Sequence, residues 1–203
     1  DTLGLRRVKK TVNFDEPSVY HLYYGDETGT PGTVMTYFPF ANMMAGRPGV
    51  GEVGGTQFSV PKGSLGFWKD RLIAKGTAGL QADTVFGAQR LRFTGPDGDG
   101  LALIETDNDA RAPWLAEGIS EDHAIRGFTG ARINLNDTAA TEELLRFMGY
   151  ERADAEGDVT RFVIPGGNGA DTIDLAALPK TPFARPGAGS VHHIAFAVEN
   201  REK

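Results

Sequence analysis

The sequence predicts an α+β fold built from βαβββ modules in tandem, their strands pairing into open, cup-shaped mixed sheets. Three observations lead there. One order of strand and helix signals occurs twice in full, each strand-length apolar run that opens a copy is followed by apolar residues at helical spacing, and Gly and Pro fall between the elements as turn punctuation.

The first full copy opens with a strand over residues 54–60. Pro61 follows it, and residues 64–72 form an amphipathic stretch with apolar residues at helical spacing. Strands are predicted at 82–86, 89–94 and 101–106, with a Gly95-Pro96-Asp97-Gly98 turn between the last two. The second copy begins with a strand at 127–135. Asn136-Asp137 supplies an N-cap, and a helix at 138–148 presents Leu144, Leu145 and Met148 before Gly149. Strands at 150–153, 160–164 and 172–176 complete it.

Ahead of these copies, residues 5–14, 19–25 and 34–40 read as three strands without a leading strand and helix. Behind them, residues 190–198 read as one opening strand. The expected organisation is a partial module at 1–45, complete modules at 52–107 and 124–179, and the start of a fourth at 190–203. Asp1 to Leu5 reads as the last turn of a helix closed by Gly4, and 199–203 as a helix beginning, so the chain is expected to be a fragment.

Composition removes several function classes. The chain has 203 residues, 40% of them apolar and 24% charged, as a globular protein has. A formal net charge of −6 argues against nucleic acid as a partner. The basic cluster Arg6, Arg7, Lys9 and Lys10 reads as a solvated strand edge. With no cysteine, disulfides and thiolate chemistry are excluded, and any metal must rest on His, Asp, Glu or water. No stretch has the apolar length of a membrane span, and a cytoplasmic location is the expectation.

Chemistry concentrates at Val191-His192-His193-Ile194-Ala195-Phe196, adjacent imidazoles opening an apolar run. On a strand, neighbours face opposite sides, so one ring can reach a cavity, a common way to hold a metal. A core histidine with a satisfied hydrogen bond is the competing reading. His21 and Tyr23 share a face of a strand; His21 could line a substrate cup, but a structural or surface role is expected, and His123 reads as solvated in a loop. Tyr23, Tyr37, Phe38 and Phe40 suit either a cup wall or a core. The runs Gly46-Arg47-Pro48-Gly49-Val50-Gly51 and Gly166-Gly167-Asn168-Gly169 lack the context of phosphate loops and read as turns.

Several strings together give the chain a family likeness. They are Val8-Lys9-Lys10-Thr11-Val12-Asn13-Phe14-Asp15, Tyr20-His21-Leu22-Tyr23-Tyr24-Gly25-Asp26, Pro31-Gly32-Thr33, His123-Ala124-Ile125-Arg126-Gly127-Phe128 and the His192-His193 run. With the tandem modules, the sequence resembles the vicinal oxygen chelate superfamily, and within it the ring-cleaving, hydroquinone-type extradiol dioxygenases. The resemblance implies Fe(II), or Mn(II), on two His and one carboxylate, acting on a small aromatic substrate and dioxygen. It makes His193 a metal ligand and His192 a proton donor or acceptor near the substrate. The other two ligands it implies fall outside residues 1–203, so the triad is incomplete and this chain alone is expected to be inactive.

Superposing the copies puts Gly55 and Gly130 at the place of His193, and Leu103 at the place of a carboxylate ligand. Glu105 falls two positions past that place, and Asp174 lacks an imidazole partner. The complete modules are therefore expected to hold no second metal site. Within the same superfamily, a glyoxalase-like lyase or isomerase and a non-catalytic binding protein of the bleomycin-resistance kind are the alternatives. No nucleic-acid or membrane partner is expected, and homo-oligomerisation stays open.

Overall fold

The computed structural model describes residues 2–198 and contains eleven strands and two helices there. Strands β1 (Arg6–Val12), β2 (Tyr20–Gly25) and β3 (Met35–Tyr37) form an antiparallel three-stranded sheet. The remaining strands form one sheet of eight. They are β4 (Glu52–Pro61), β5 (Ala78–Val85), β6 (Ala88–Thr94), β7 (Gly100–Thr106), β8 (Gly127–Leu135), β9 (Glu151–Glu156), β10 (Val159–Val163) and β11 (Thr172–Ala177). Helix α1 (Leu65–Ala74) follows β4 and α2 (Ala139–Phe147) follows β8.

The strand order β5-β6-β7-β4-β8-β11-β10-β9 reads alike from either end. In each half the opening strand lies parallel to the last, β4 on β7 and β8 on β11, and the halves join where β4 and β8 run antiparallel. Each helix supplies the crossover that a parallel pair requires. The sheet curls until its ends meet: the Phe86 amide, in the β5–β6 turn, donates to Glu156 Oε2 of β9 at 2.7 Å.

Alternation along the strands makes two cores. Phe58, Val60, Leu91, Phe93, Leu101 and Leu103 pack on Trp68 and Leu72 of α1; Ala131, Phe162, Ile173 and Leu175 pack on Leu145 of α2. Helix α1 is capped from across the sheet, where Glu105 Oε1 accepts the Gly63 and Leu65 amides at 2.9 and 3.2 Å. In α2 the N-cap is Thr138, while Asp137 accepts the Ala139 amide at 2.8 Å. Leu144, expected on the buried face, is 55% exposed; Leu145 and Met148 face the core.

The strand expected at 34–40 is only Met35–Tyr37, and the one expected at 82–86 runs Ala78–Val85 with Phe86 in the turn; two further segments differ in kind. Residues 190–198 belong to no strand: a strand needs a ladder partner, and among the described residues none pairs with them. The glycine-rich run 46–51 is not a free turn. It lies along residues 182–188, bridging Ala45 to Ala188, Arg47 to Arg185 and Val50 to Phe183.

Candidate functional site

That bridged pair of segments positions the histidines. Arg47 and Arg185 exchange backbone hydrogen bonds at 2.9 Å, and Ala188 donates to the Met44 carbonyl at 2.9 Å. The chain leaving the three-stranded sheet is thereby tied to the chain entering the His192-His193 run. Beyond the histidines, Ile194 packs on the α2 core and Phe196 meets the Tyr150 ring edge-on at 6.1 Å.

His192 and His193 are both exposed, and their Nδ1 atoms lie 2.8 Å apart with the rings nearly perpendicular. They do not face opposite layers as strand neighbours would, since the backbone here is not a strand. The contact has a chemical consequence. Between two neutral imidazoles sharing one hydrogen bond through Nδ1, one carries its proton on Nδ1 and leaves Nε2 with a lone pair. The other accepts at Nδ1 and carries its proton on Nε2. One ring of the pair can therefore ligate or act as a base, and the other can donate.

His21 stands within electrostatic reach of His193. Its Nδ1 lies 2.8 Å from the Tyr23 hydroxyl, its ring stacks on Tyr23 at 4.0 Å, and Phe38 packs against it at 4.2 Å. Its Nε2 is buried without a hydrogen-bond partner. Burial first, then the charges of His193 and Lys9, hold the His21 pKa below the ordinary histidine value. His21 thus presents an unpartnered buried nitrogen as well as its structural contacts with Tyr23 and Phe38. The visible signal was the shared face of His21 and Tyr23.

The aromatic residues divide. Phe38 lies on the His21 side and neighbours Phe40. Tyr37 pairs with Leu22 in register and so occupies the other face, against Tyr24. Burial, then Asp99, pushes the Tyr37 hydroxyl pKa upward. His123 is not simply solvated: its ring stacks on Phe67 at 4.3 Å and its carbonyl accepts Trp68 Nε1 at 2.8 Å. Leu103 is fully buried against α1, so the cup-facing positions of β7 are its neighbours Ala102 and Ile104. Asp174 is also buried, paired with Arg161.

Among the described residues no group of three or more His, Asp or Glu is arranged to hold a metal ion. The donors present offer imidazole nitrogen without a carboxylate beside it, and do not by themselves fit a two-His, one-carboxylate site. No helix among the described residues is long and apolar enough to cross a membrane.

No family model matches the chain. It is 39% identical over 204 residues to MhqE of Bacillus subtilis (strain 168), named "Putative ring-cleaving dioxygenase", covering 100% of this chain and 66% of that protein. MhqO of the same organism, named likewise, is 41% identical over 203 residues, covering 98% of the chain and 64% of the relative. The chlorohydroquinone/hydroquinone 1,2-dioxygenase of Sphingobium indicum is 33% identical over 207 residues, covering 97% and 64%. The chain thus spans 64–66% of the length of these curated relatives. A crystal structure of a dioxygenase candidate from Bacillus subtilis superposes with a TM-score of 0.92 at 40% identity, over 99% of this chain and 64% of that one. Glyoxalase I from Zea mays superposes with a TM-score of 0.61 at 13% identity, over 92% and 63%, a likeness of fold alone. The paired modules, the βαβββ order and the identity carried along the whole sequence agree: over this span the chain is similar to proteins named ring-cleaving dioxygenases, and it shares the fold of glyoxalase I.

Proposed function

We propose that the protein carrying this chain cleaves the ring of a hydroquinone or related dihydroxylated aromatic with dioxygen. The observation that carries this is identity of 33–41% along nearly the entire chain to proteins so named, one for chlorohydroquinone and hydroquinone. Fe(II), or Mn(II), is the metal we infer, with His193 as one ligand. When bound it supplies a Lewis acid for the substrate oxygen and a site for dioxygen. The further donors it needs are not grouped with His193 among the described residues.

What the chain's own residues contribute follows from their contacts. The Nδ1 bond between the histidines separates the lone-pair role from the proton-carrying role, which we assign to His193 and His192 respectively. Phe38, Phe40 and Tyr23 supply apolar and ring surface around His21. We take residues 1–45, 52–107, 124–179 and 190–203 as the parts of four modules. The charge of −6 supports a protein without a nucleic-acid partner, and we take it as a cytoplasmic enzyme without a membrane partner.

Oxygen uptake and ring-opened product are measured with Fe(II) and hydroquinone on the protein containing this chain. Stoichiometric uptake abolished by His193→Ala supports the proposal. His192→Ala is expected to keep the metal and lower turnover about a hundredfold or more. The 203-residue chain alone is expected to be inactive. Turnover without oxygen uptake would mark a lyase or isomerase, and ligand capture without metal a binding protein; either outcome overturns the reading.

A further inference from the structure

The concave face of the eight-stranded sheet holds no imidazole; instead it gathers arginine. Leu91, Phe93, Phe162, Ile173 and Leu175 point to the helices, so Arg90, Arg92, Arg161 and Asp174 project into the cup. Arg132 stands opposite Asp174 in the β8–β11 register and shares its side. The cup thus carries four guanidinium groups against the carboxylates of Asp83, Asp174 and Asp154, the last opposite Arg161 and accepting the Ala155 amide, with Glu156 occupied at the rim by the Phe86 amide.

The carboxylates are committed. Asp83 takes Arg90 through two hydrogen bonds at 2.8 and 2.9 Å and Arg92 at 2.9 Å. Asp174 takes Arg161 at 2.7 and 2.8 Å and Gln57 Nε2 at 3.0 Å. Arg132 bonds only Asn134 Oδ1, at 3.2 Å, leaving most of its N–H donors for a ligand. Burial, then Arg90 and Arg92, disfavour its charge and outweigh Asp174 and Asp83, which favour it.

A second observation points the same way. Gln57 is 2% exposed, and its Oε1 is buried without a hydrogen-bond partner. Such an atom calls for a donor. Space exists beside it: a Cβ on Gly55, two positions along the same face of β4, would meet nothing nearer than the Gly100 carbonyl at 3.9 Å and Arg132 Cβ at 4.0 Å.

We propose that this cup binds a small oxyanion bearing a hydroxyl, either hydrogen phosphate or a 2-hydroxycarboxylate, with Arg132 and Arg92 on the anionic oxygens and Gln57 Oε1 accepting from the hydroxyl. The site is independent of the ring-cleaving reading. Guanidinium fits it because its planar fork meets two oxygens at once, and a half-buried cup strengthens each contact.

Calorimetric titration of the chain with inorganic phosphate, malate and succinate tests this. Saturable binding of phosphate or malate is expected, and the tighter of the two identifies the ligand source. Arg132→Gln and the more exposed Arg92→Gln should each weaken binding about tenfold or more, with folding checked by circular dichroism. Absence of binding by both anions at about 10 mM overturns the proposal, as does unchanged affinity in both variants. Succinate bound as tightly as malate overturns the part given to Gln57.

Discussion

Gly187 lies directly against Met44: a methyl group on its α-carbon would stand 2.5 Å from the Met44 carbonyl oxygen and 2.6 Å from the Gly46 nitrogen. Both atoms are backbone, so neither can swing away. The bridge between 44–50 and 182–188 depends on that approach, and His192 and His193 hang from its far end. Gly187→Ala should cost about 1–3 kcal/mol and speed amide exchange at Gly46, Arg47 and Ala188. Unchanged exchange there would show that the bridge is held elsewhere.

Gly66 is the opposite case. It lies inside α1, and nothing stands within 4 Å of where its Cβ would be. Gly66→Ala should stabilise the protein by about 0.5–1 kcal/mol, since only the cost of ordering glycine in a helix changes. Chemical denaturation measures it; destabilisation would contradict the open surroundings.

Asp174→Ala removes the shared acceptor of Arg161 and Gln57 and leaves a guanidinium in the cup unpaired. A loss of about 3–5 kcal/mol is expected. Replacing Arg161 and Asp174 together by apolar residues should cost much less than the sum of the single changes, because no lone charge remains. Additive losses in a double-mutant cycle would refute the coupling.

Asp109 makes stability fall in acid. Burial raises its pKa, but hydrogen bonds from Arg111 and Ser59 outweigh this and hold it at about 2. A carboxylate depressed on folding contributes stability above its unfolded pKa near 4 and loses it as pH falls through its folded value. About 2 kcal/mol should therefore disappear between roughly pH 4 and 2. Asp109→Asn should flatten that part of the denaturation profile; an unchanged slope would remove Asp109 from the acid response.

His21 works in a higher window with the same sign. Its pKa is lowered on folding, so the folded protein binds fewer protons there and stability declines as pH falls below the ordinary histidine range. NMR titration should find the His21 pKa below the ordinary histidine value. Lys9→Ala should move the His21 pKa upward, because one of the charges opposing protonation is gone. Absence of any movement would show that burial and His193 alone set it.

Much of the fold was legible because alternation is local. Leu91 and Phe93 flank Arg92, Ile173 and Leu175 flank Asp174, and the β8 strand begins and ends where its apolar pattern does. What could not be read depends on distant partners. Residues 190–198 have the composition of a strand, yet strand formation needs an edge to pair with. The 46–51 run looks like turns because backbone pairing through glycine leaves no side-chain period. At the site, the adjacency of His192 and His193 was plain, whereas their mutual Nδ1 contact depends on side-chain placement that spacing does not carry. Gln57 and Asp174 lie 117 positions apart, and only the antiparallel seam brings their halves together.

The Phe86–Glu156 contact turns one amide into a gauge. Amides in an exposed hairpin turn ordinarily exchange with solvent within moments, yet this one is held by a carboxylate from the opposite end of the sheet and sits beside Arg161, whose guanidinium covers the Phe86 ring at 4.1 Å. Its exchange rate therefore records how often the two outer hairpins part, a breathing motion of the entire curled sheet, read from a single hydrogen at its lip.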